Sequence, residues 1–229
     1  MPHFPQPYNA LGTGLRLSPI ASNIRSPRNG PTEHDIIGVC DAAERKGADA
    51  FLDGSVRFRS LAYFRDFEDQ NVRQDKNEGA AVFRPAAGLL VTNHTRGESF
   101  LLPGHAFELK VKQEEIFVLC TSRLLSEGLR KKFDASVCVE ILKIKTFCER
   151  MTRAIPADAT FRAGKVEYYD ESEGGSPRWA LPDLIAMSKP KSYQWQFEYR
   201  FILCFTDALE FEKGALRLVK ADTKDPKAS

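Results

Sequence analysis

The stretch that most constrains this chain is Trp195–Phe205, which reads W-Q-F-E-Y-R-F-I-L-C-F. A strand turns successive side chains to opposite faces. Read as one strand, it puts Trp195, Phe197, Tyr199, Phe201, Leu203 and Phe205 on one face, turned towards a core. The other face begins with Gln196, Glu198 and Arg200, neighbours spaced at roughly 6.5–7 Å by strand rise. Three polar groups held that rigidly make either a structural ion-pair ladder or one wall of an active site.

The rest of the chain supplies a frame for such a strand. With 229 residues, 42% of them hydrophobic, it can build one domain with a sizeable core. Residues 1–34 are rich in proline and lack sustained periodicity, so they read as a flexible arm. Residues 35–220 then form a single domain, and 221–229 a charged tail. Val56–Ser60 alternates with period 2 and places Arg57 and Arg59 on one face of a strand, and Leu61–Phe67 continues as a helix. Asp66–Gly79 is strongly polar; it lacks the alternate-oxygen pattern of a calcium loop and reads as solvated. Short strands follow from Ala81 to Lys112, and the continuous apolar run Ile116–Thr121 is expected of a central strand buried on both faces. Helices are expected at Leu124–Lys132, Lys145–Arg153 and Leu181–Met187, with strands at Val137–Leu142, Phe161–Tyr169 and Ala215–Val219. This order argues α+β, with a mostly antiparallel sheet or two small packed sheets and flanking helices.

Composition narrows the function classes. Thirty-three basic residues against 31 acidic ones give a net charge of +2, which is no nucleic-acid footprint without a local patch. The five cysteines show no C-x-x-C or Cys/His cluster, so no metal is expected, and Cys120, Cys138 and Cys204 read as buried free thiols of a reducing compartment. No apolar run of 18 residues and no signal peptide occurs, so the expectation is a cytoplasmic protein with no membrane partner. Neither a G-x-S-x-G elbow nor a phosphate-binding G-x-x-x-x-G-K-[ST] is present.

Two constellations remain. Glu108 and Lys110 share one strand face, as acid and lysine do in metal-dependent nucleases, although alternating charge on a half-exposed strand explains the same pattern. Arg59 on an early strand, Thr121-Ser122 ending a central strand and Gln196-x-Glu198 on a late strand together resemble the arginine–serine–glutamate class of the ADP-ribosyltransferase superfamily. The resemblance covers three short patches; the family's Ser-Thr-Ser is here Cys120-Thr121-Ser122. It implies two small sheets with NAD in the cleft between them, as a substrate. It further implies that Arg59 or Arg57 binds the NAD phosphate or ribose and that Ser122 supports the strand beneath the nicotinamide ribose. Glu198 would be the catalytic carboxylate, facing the cleft opening, and Gln196 would orient the acceptor nucleophile. Phe58, Tyr63 and Tyr193 are candidates for stacking on the nicotinamide, with packing in the core the alternative for each. The expected activity is transfer of ADP-ribose to a protein or nucleic-acid acceptor, in conflict between bacteria and phages. A non-enzymatic binding or accessory module with a partner protein is the alternative reading, its polar strand face ion-paired.

A looser likeness joins F-x-S-L-x-Y-F-R (Phe58–Arg65), D-x-x-E-G (Asp75–Gly79) and E-Y-R (Glu198–Arg200). Together they look like uncharacterised bacterial and phage domains, some associated with phage defence, and they assign no chemistry.

Overall fold

A computed structural model describes residues 15–19, 36–38, 45–66, 75–173, 181–205 and 211–220. In chain order these form β1 (Leu15–Pro19), β2 (Ile36–Gly38), α1 (Arg45–Leu52), β3 (Arg59–Ser60), α2 (Leu61–Asp66), β4 (Ala80–Phe83), β5 (Leu89–Asn93), β6 (Glu98–Leu102) and β7 (His105–Val111). There follow β8 (Ile116–Ser122), α3 (Glu127–Lys132), β9 (Val137–Ile141), α4 (Ile144–Ala154), β10 (Ala159–Lys165) and β11 (Glu167–Tyr169). The last are α5 (Pro182–Ala186), β12 (Ser188–Pro190), a 3₁₀ helix (Lys191–Gln196), β13 (Glu198–Phe205) and β14 (Phe211–Lys220). The architecture is α+β, with mostly antiparallel small sheets and a few helices. None of the described helices is long and apolar enough to cross a membrane.

The largest sheet runs β1-β9-β2-β8-β13-β10, and β3 also pairs with β8. β8 and β13 lie at its centre, antiparallel, with Glu198 opposite Ser122, Arg200 opposite Cys120 and Ile202 opposite Val118. Both faces of this pair are covered, because both residue parities carry apolar side chains. On one side Ile116, Val118, Ile202 and Cys204 pack with Leu61, Ala81, Val111, Ile185 and Ala186. That layer is closed by a three-stranded sheet, β14-β7-β4, and by helices α2 and α5. On the other side Phe201 packs with Phe51, Val139, Ile141, Phe147 and Met151. Phe147 and Met151 lie four residues apart on α4 and so share one helix face. The Phe147 and Phe201 rings meet edge to face at 5.0 Å, a preferred aromatic geometry.

Several expectations are revised. The late strand begins at Glu198 rather than Trp195, because Lys191–Gln196 coil into the 3₁₀ helix and Phe197 takes a left-handed backbone with φ 46°. Trp195 and Phe197 therefore do not share the buried aromatic face; Phe197 is 45% exposed, while Tyr199 and Phe201 keep theirs. The stretch Asp66–Gly79 is not wholly solvated, since Asp75 and Glu78 are only 2% and 1% exposed. The strand at Val56–Ser60 shrinks to Arg59–Ser60, which leaves Arg57 exposed outside any strand. Leu15–Pro19, within the stretch read as an arm, pairs antiparallel with β9. The tail at 221–229 and the rest of 1–34 lie outside the described residues.

Candidate functional site

Glu198 and Arg200, two residues apart on β13, point to the same side, into the layer against α5 and the small sheet. A neighbouring spacing on one strand exceeds a single hydrogen bond, but both side chains are long enough to fold together. Arg200 Nε donates to Glu198 Oε1 at 2.6 Å. One terminal guanidinium nitrogen donates to the Ala186 carbonyl at 2.6 Å, and the other to Glu78 Oε2 at 2.8 Å. Lys189 enters from β12: its ammonium lies 2.8 Å from Glu198 Oε2 and 3.6 Å from Glu78 Oε2, and it donates to Gln196 Oε1 at 3.1 Å. Two acids and two bases are thus interleaved with almost no water access; Arg200 is 0% exposed and Lys189 5%. Charges so buried are tolerated only when paired and hydrogen-bonded.

The Asp75–Gly79 turn delivers Glu78. The Glu78 amide donates to the Asp75 carbonyl and the Asn77 amide to Asp75 Oδ1, both at 2.9 Å. Gly79 adopts φ 71°, and an added Cβ there would meet Gln113 Cγ and Leu61 Cδ1 at 3.0 Å. Gln113 completes the turn, donating to the Glu78 carbonyl and accepting from Arg65. The stretches Phe58–Arg65, Asp75–Gly79 and Glu198–Arg200 therefore meet at one place, linked by Arg65–Gln113–Glu78–Arg200.

This environment sets the protonation states. Burial pushes Glu198 up, but Arg200 and Lys189 outweigh it and hold the carboxyl down at about 2. Burial pushes Lys189 down, and Glu198 and Glu78 outweigh that, leaving it raised. Both therefore stay charged at neutral pH. Asp75 behaves oppositely: burial, then the charge of Glu78, push it up to about 7, and its Oδ2 has no hydrogen-bond partner. Tyr193 is pushed up to about 12, by burial first and then by Asp75. Burial also drives the Cys120 thiol well up, so it is held protonated beside the charged groups.

The residues predicted to bind and turn over NAD are distributed as follows. Ser122 lies opposite Glu198, but its hydroxyl donates to the Gln196 carbonyl at 2.8 Å and accepts from the Leu124 amide at 3.1 Å. Gln196 is 5% exposed and its side chain joins the charge network through Lys189. Glu198 does not face an opening; it is 4% exposed. Arg59 pairs with Val118 and so shares the face of Glu198, but lies four residues along β8 from Ser122, roughly 13 Å by strand rise. Its guanidinium sits 4.3 Å from the centre of the Tyr63 ring. Arg57 is exposed and outside any strand. Glu108 and Lys110 form their own 3.2 Å ion pair on β7, in the smaller sheet. Among the described residues, no group of three His, Cys, Asp or Glu side chains is placed to hold a metal ion.

Sequence reasoning passed over Lys189 and treated Glu78 as part of a solvated loop. Glu78 carried a signal in the D-x-x-E-G turn, where Gly79 fixes the direction of the preceding side chain. Lys189, between Ser188 and Pro190, carried none. No family model, curated protein or solved structure matches the chain.

Proposed function

We propose that this chain is a non-enzymatic binding or accessory module, in which the buried charge network is a rigid frame rather than a reaction centre. The observation that carries this reading is the state of Glu198: 4% exposed, with one carboxylate oxygen taking the Arg200 hydrogen bond and the other against Lys189. A carboxylate that acts on a ribose needs room for that ribose, and here the space is filled by the protein's own cations. The frame holds the neighbouring 3₁₀ turn in place, and that turn is where the surface becomes aromatic, with Phe197 45% exposed.

A second reading, ADP-ribosyl transfer from NAD within an ADP-ribosyltransferase-like fold, is favoured by one observation. Arg59, Ser122 and Glu198 sit on β3, β8 and β13 of one sheet and on the same face. Such an enzyme would use Glu198 as a fixed negative charge beside the oxocarbenium-like centre that forms as nicotinamide leaves.

Incubation with NAD labelled in the nicotinamide, with and without cell extract, separates the two. The module reading expects no nicotinamide release from the parent protein and a large fall in melting temperature for Glu198→Gln. NAD turnover that Glu198→Gln abolishes, with the melting temperature unmoved, would overturn it in favour of the transferase.

A further inference from the structure

Phe197 is the one large side chain in the β13 region that the fold spends conformational energy to display. A left-handed backbone is rare and unfavourable for a bulky residue, yet Phe197 holds φ 46°. Each flanking polar group pins it there. Its carbonyl accepts from the Arg123 amide at 2.8 Å, and its amide donates to the Gln194 carbonyl at 3.1 Å. Before it, the Gln196 carbonyl accepts from Ser122 Oγ; after it, the Glu198 amide donates to the Tyr168 hydroxyl, both at 2.8 Å. The result is an aromatic ring 45% exposed on a backbone anchored to the most buried part of the molecule.

Its neighbours are cationic and aromatic. Trp195, two residues before, packs against Phe133 with ring centres 5.7 Å apart. The Lys132 ammonium lies 4.0 Å from the centre of the Trp195 ring, a cation–π contact that keeps its charge at the surface. Helix α3 ends in Arg130, Lys131 and Lys132, and Lys131 and Lys132 are exposed. Arg130 is bound to Glu127 at 2.5 Å, and the acidic Asp134 stands beside the helix end. With that pair neutral, Arg123, Lys131 and Lys132 outnumber Asp134 by three charges to one. A half-exposed ring fixed in place, with Arg123 bonded to its backbone and Lys132 seated on Trp195 two residues before it, matches an occupant that has a flat π-face and a negative backbone.

We infer that the surface formed by Phe197, Trp195, Arg123, Lys131 and Lys132 binds single-stranded nucleic acid. A base stacks on Phe197, and the adjoining phosphates lie against Lys131, Lys132 and Arg123. Stacking tolerates any base, since each has a π-face, so binding is expected to be indifferent to sequence. The site also needs no excess of positive charge over the chain as a whole, only the local one that a net charge of +2 leaves open. The inference rests on the module reading above and names its occupant.

Fluorescence anisotropy with a labelled mixed-sequence 12-nucleotide DNA tests it, with the full chain at 50 mM salt. The parent is expected to bind. Phe197→Asn keeps a residue tolerant of the left-handed backbone, removes the ring, and is expected to weaken binding about 10- to 100-fold. The double change Lys131→Gln with Lys132→Gln is expected to make the slope of log affinity against log salt shallower by about 1.4. Both variants should melt as the parent does. Failure of the parent to bind would overturn the inference, as would equal affinity for a poly-glutamate peptide, which would make the surface an acidic-peptide site. Tighter binding to duplex than to single strand would do the same. Because NAD turnover is read separately, loss of this inference leaves the module reading standing. Turnover abolished by Glu198→Gln would remove the module reading whatever the oligonucleotide does.

Discussion

Arg200 and Glu78, 122 residues apart in sequence, meet in the core with a guanidinium nitrogen 2.8 Å from a carboxylate oxygen and both side chains essentially without exposure. The contact ties the Asp75–Gly79 turn to the middle of the main sheet. It also makes each of the four charged side chains dependent on the other three, which the substitutions below exploit.

Replacing Glu78 by Gln removes one charge and leaves Lys189 and Arg200 sharing Glu198 alone. Breaking one side of a buried ionic set costs about 3–5 kcal/mol. Urea unfolding of Glu78→Gln should lose that much, and Arg200→Met a similar amount. Because the two residues touch, the double variant should lose less than the sum, with a coupling of about 0.5–3 kcal/mol. Strict additivity would mean that the pair is not in contact in solution.

The pH profile of stability should carry two opposed slopes. Glu198, held at about 2 against an ordinary 4.5, contributes stability that is present above 4.5 and lost as pH falls towards 2. Asp75, pushed up to about 7 from 3.8, keeps its proton when folded and loses it when unfolded. Its contribution is therefore complete below 3.8 and declines as pH rises through 7, by at most about 4 kcal/mol. Asp75→Asn mimics the protonated side chain and keeps an acceptor for the Asn77 amide. It should flatten the profile between pH 4 and 7 and be more stable than the parent at pH 8. A parent profile flat over that range would contradict the burial of Asp75 beside Glu78.

Gly79 offers a purely steric test. Alanine there must adopt φ 71° and place its Cβ 3.0 Å from Gln113 Cγ and Leu61 Cδ1. Gly79→Ala should lower stability by about 2 kcal/mol or more, measured by thermal unfolding. Gly97→Ala, with open space around the new methyl at a similar φ, should lose only the backbone part of that.

The thiols give a fourth check. Cys138 and Cys204 are buried and Cys120 is half-buried, and none of the three is joined in a disulfide. Under non-reducing conditions a thiol reagent should label these three only on unfolding. Rapid labelling of Cys120 in the native state would show that the charge network is open to solvent.

How far the sequence disclosed this arrangement varies from residue to residue. The Ile116–Thr121 run gave β8 because both of its faces are apolar, and that composition has few alternatives. The alternation of Glu198 and Arg200 gave their shared face for the same reason that any strand alternates. It did not give the start of the strand. W-Q-F continues the alternating pattern of β13 unbroken, and only tertiary hydrogen bonds from Ser122 and Arg123 decide that those residues turn instead. Whether Glu198 lined a cleft or a core was likewise a question about Lys189 and Glu78, which approach from other strands and turns. Long-range pairing of that kind leaves no local periodicity to read.

The pinned turn at Phe197 also determines which changes in chain length the protein can absorb. Side chains on β13 have a period of two, so one residue added or removed between Pro190 and Glu198 that the pinned turn passes on as a shift of strand register would exchange the faces of everything after it. Glu198 and Arg200 would be driven against Phe147 and Met151, and Tyr199 and Phe201 against Lys189 and Glu78. The β5–β6 turn at Asn93–Gly97 has no such charge set hanging on its register. Lineages of this fold should accordingly vary freely in the length of that hairpin, while the interval from Lys189 to Arg200 keeps a constant count.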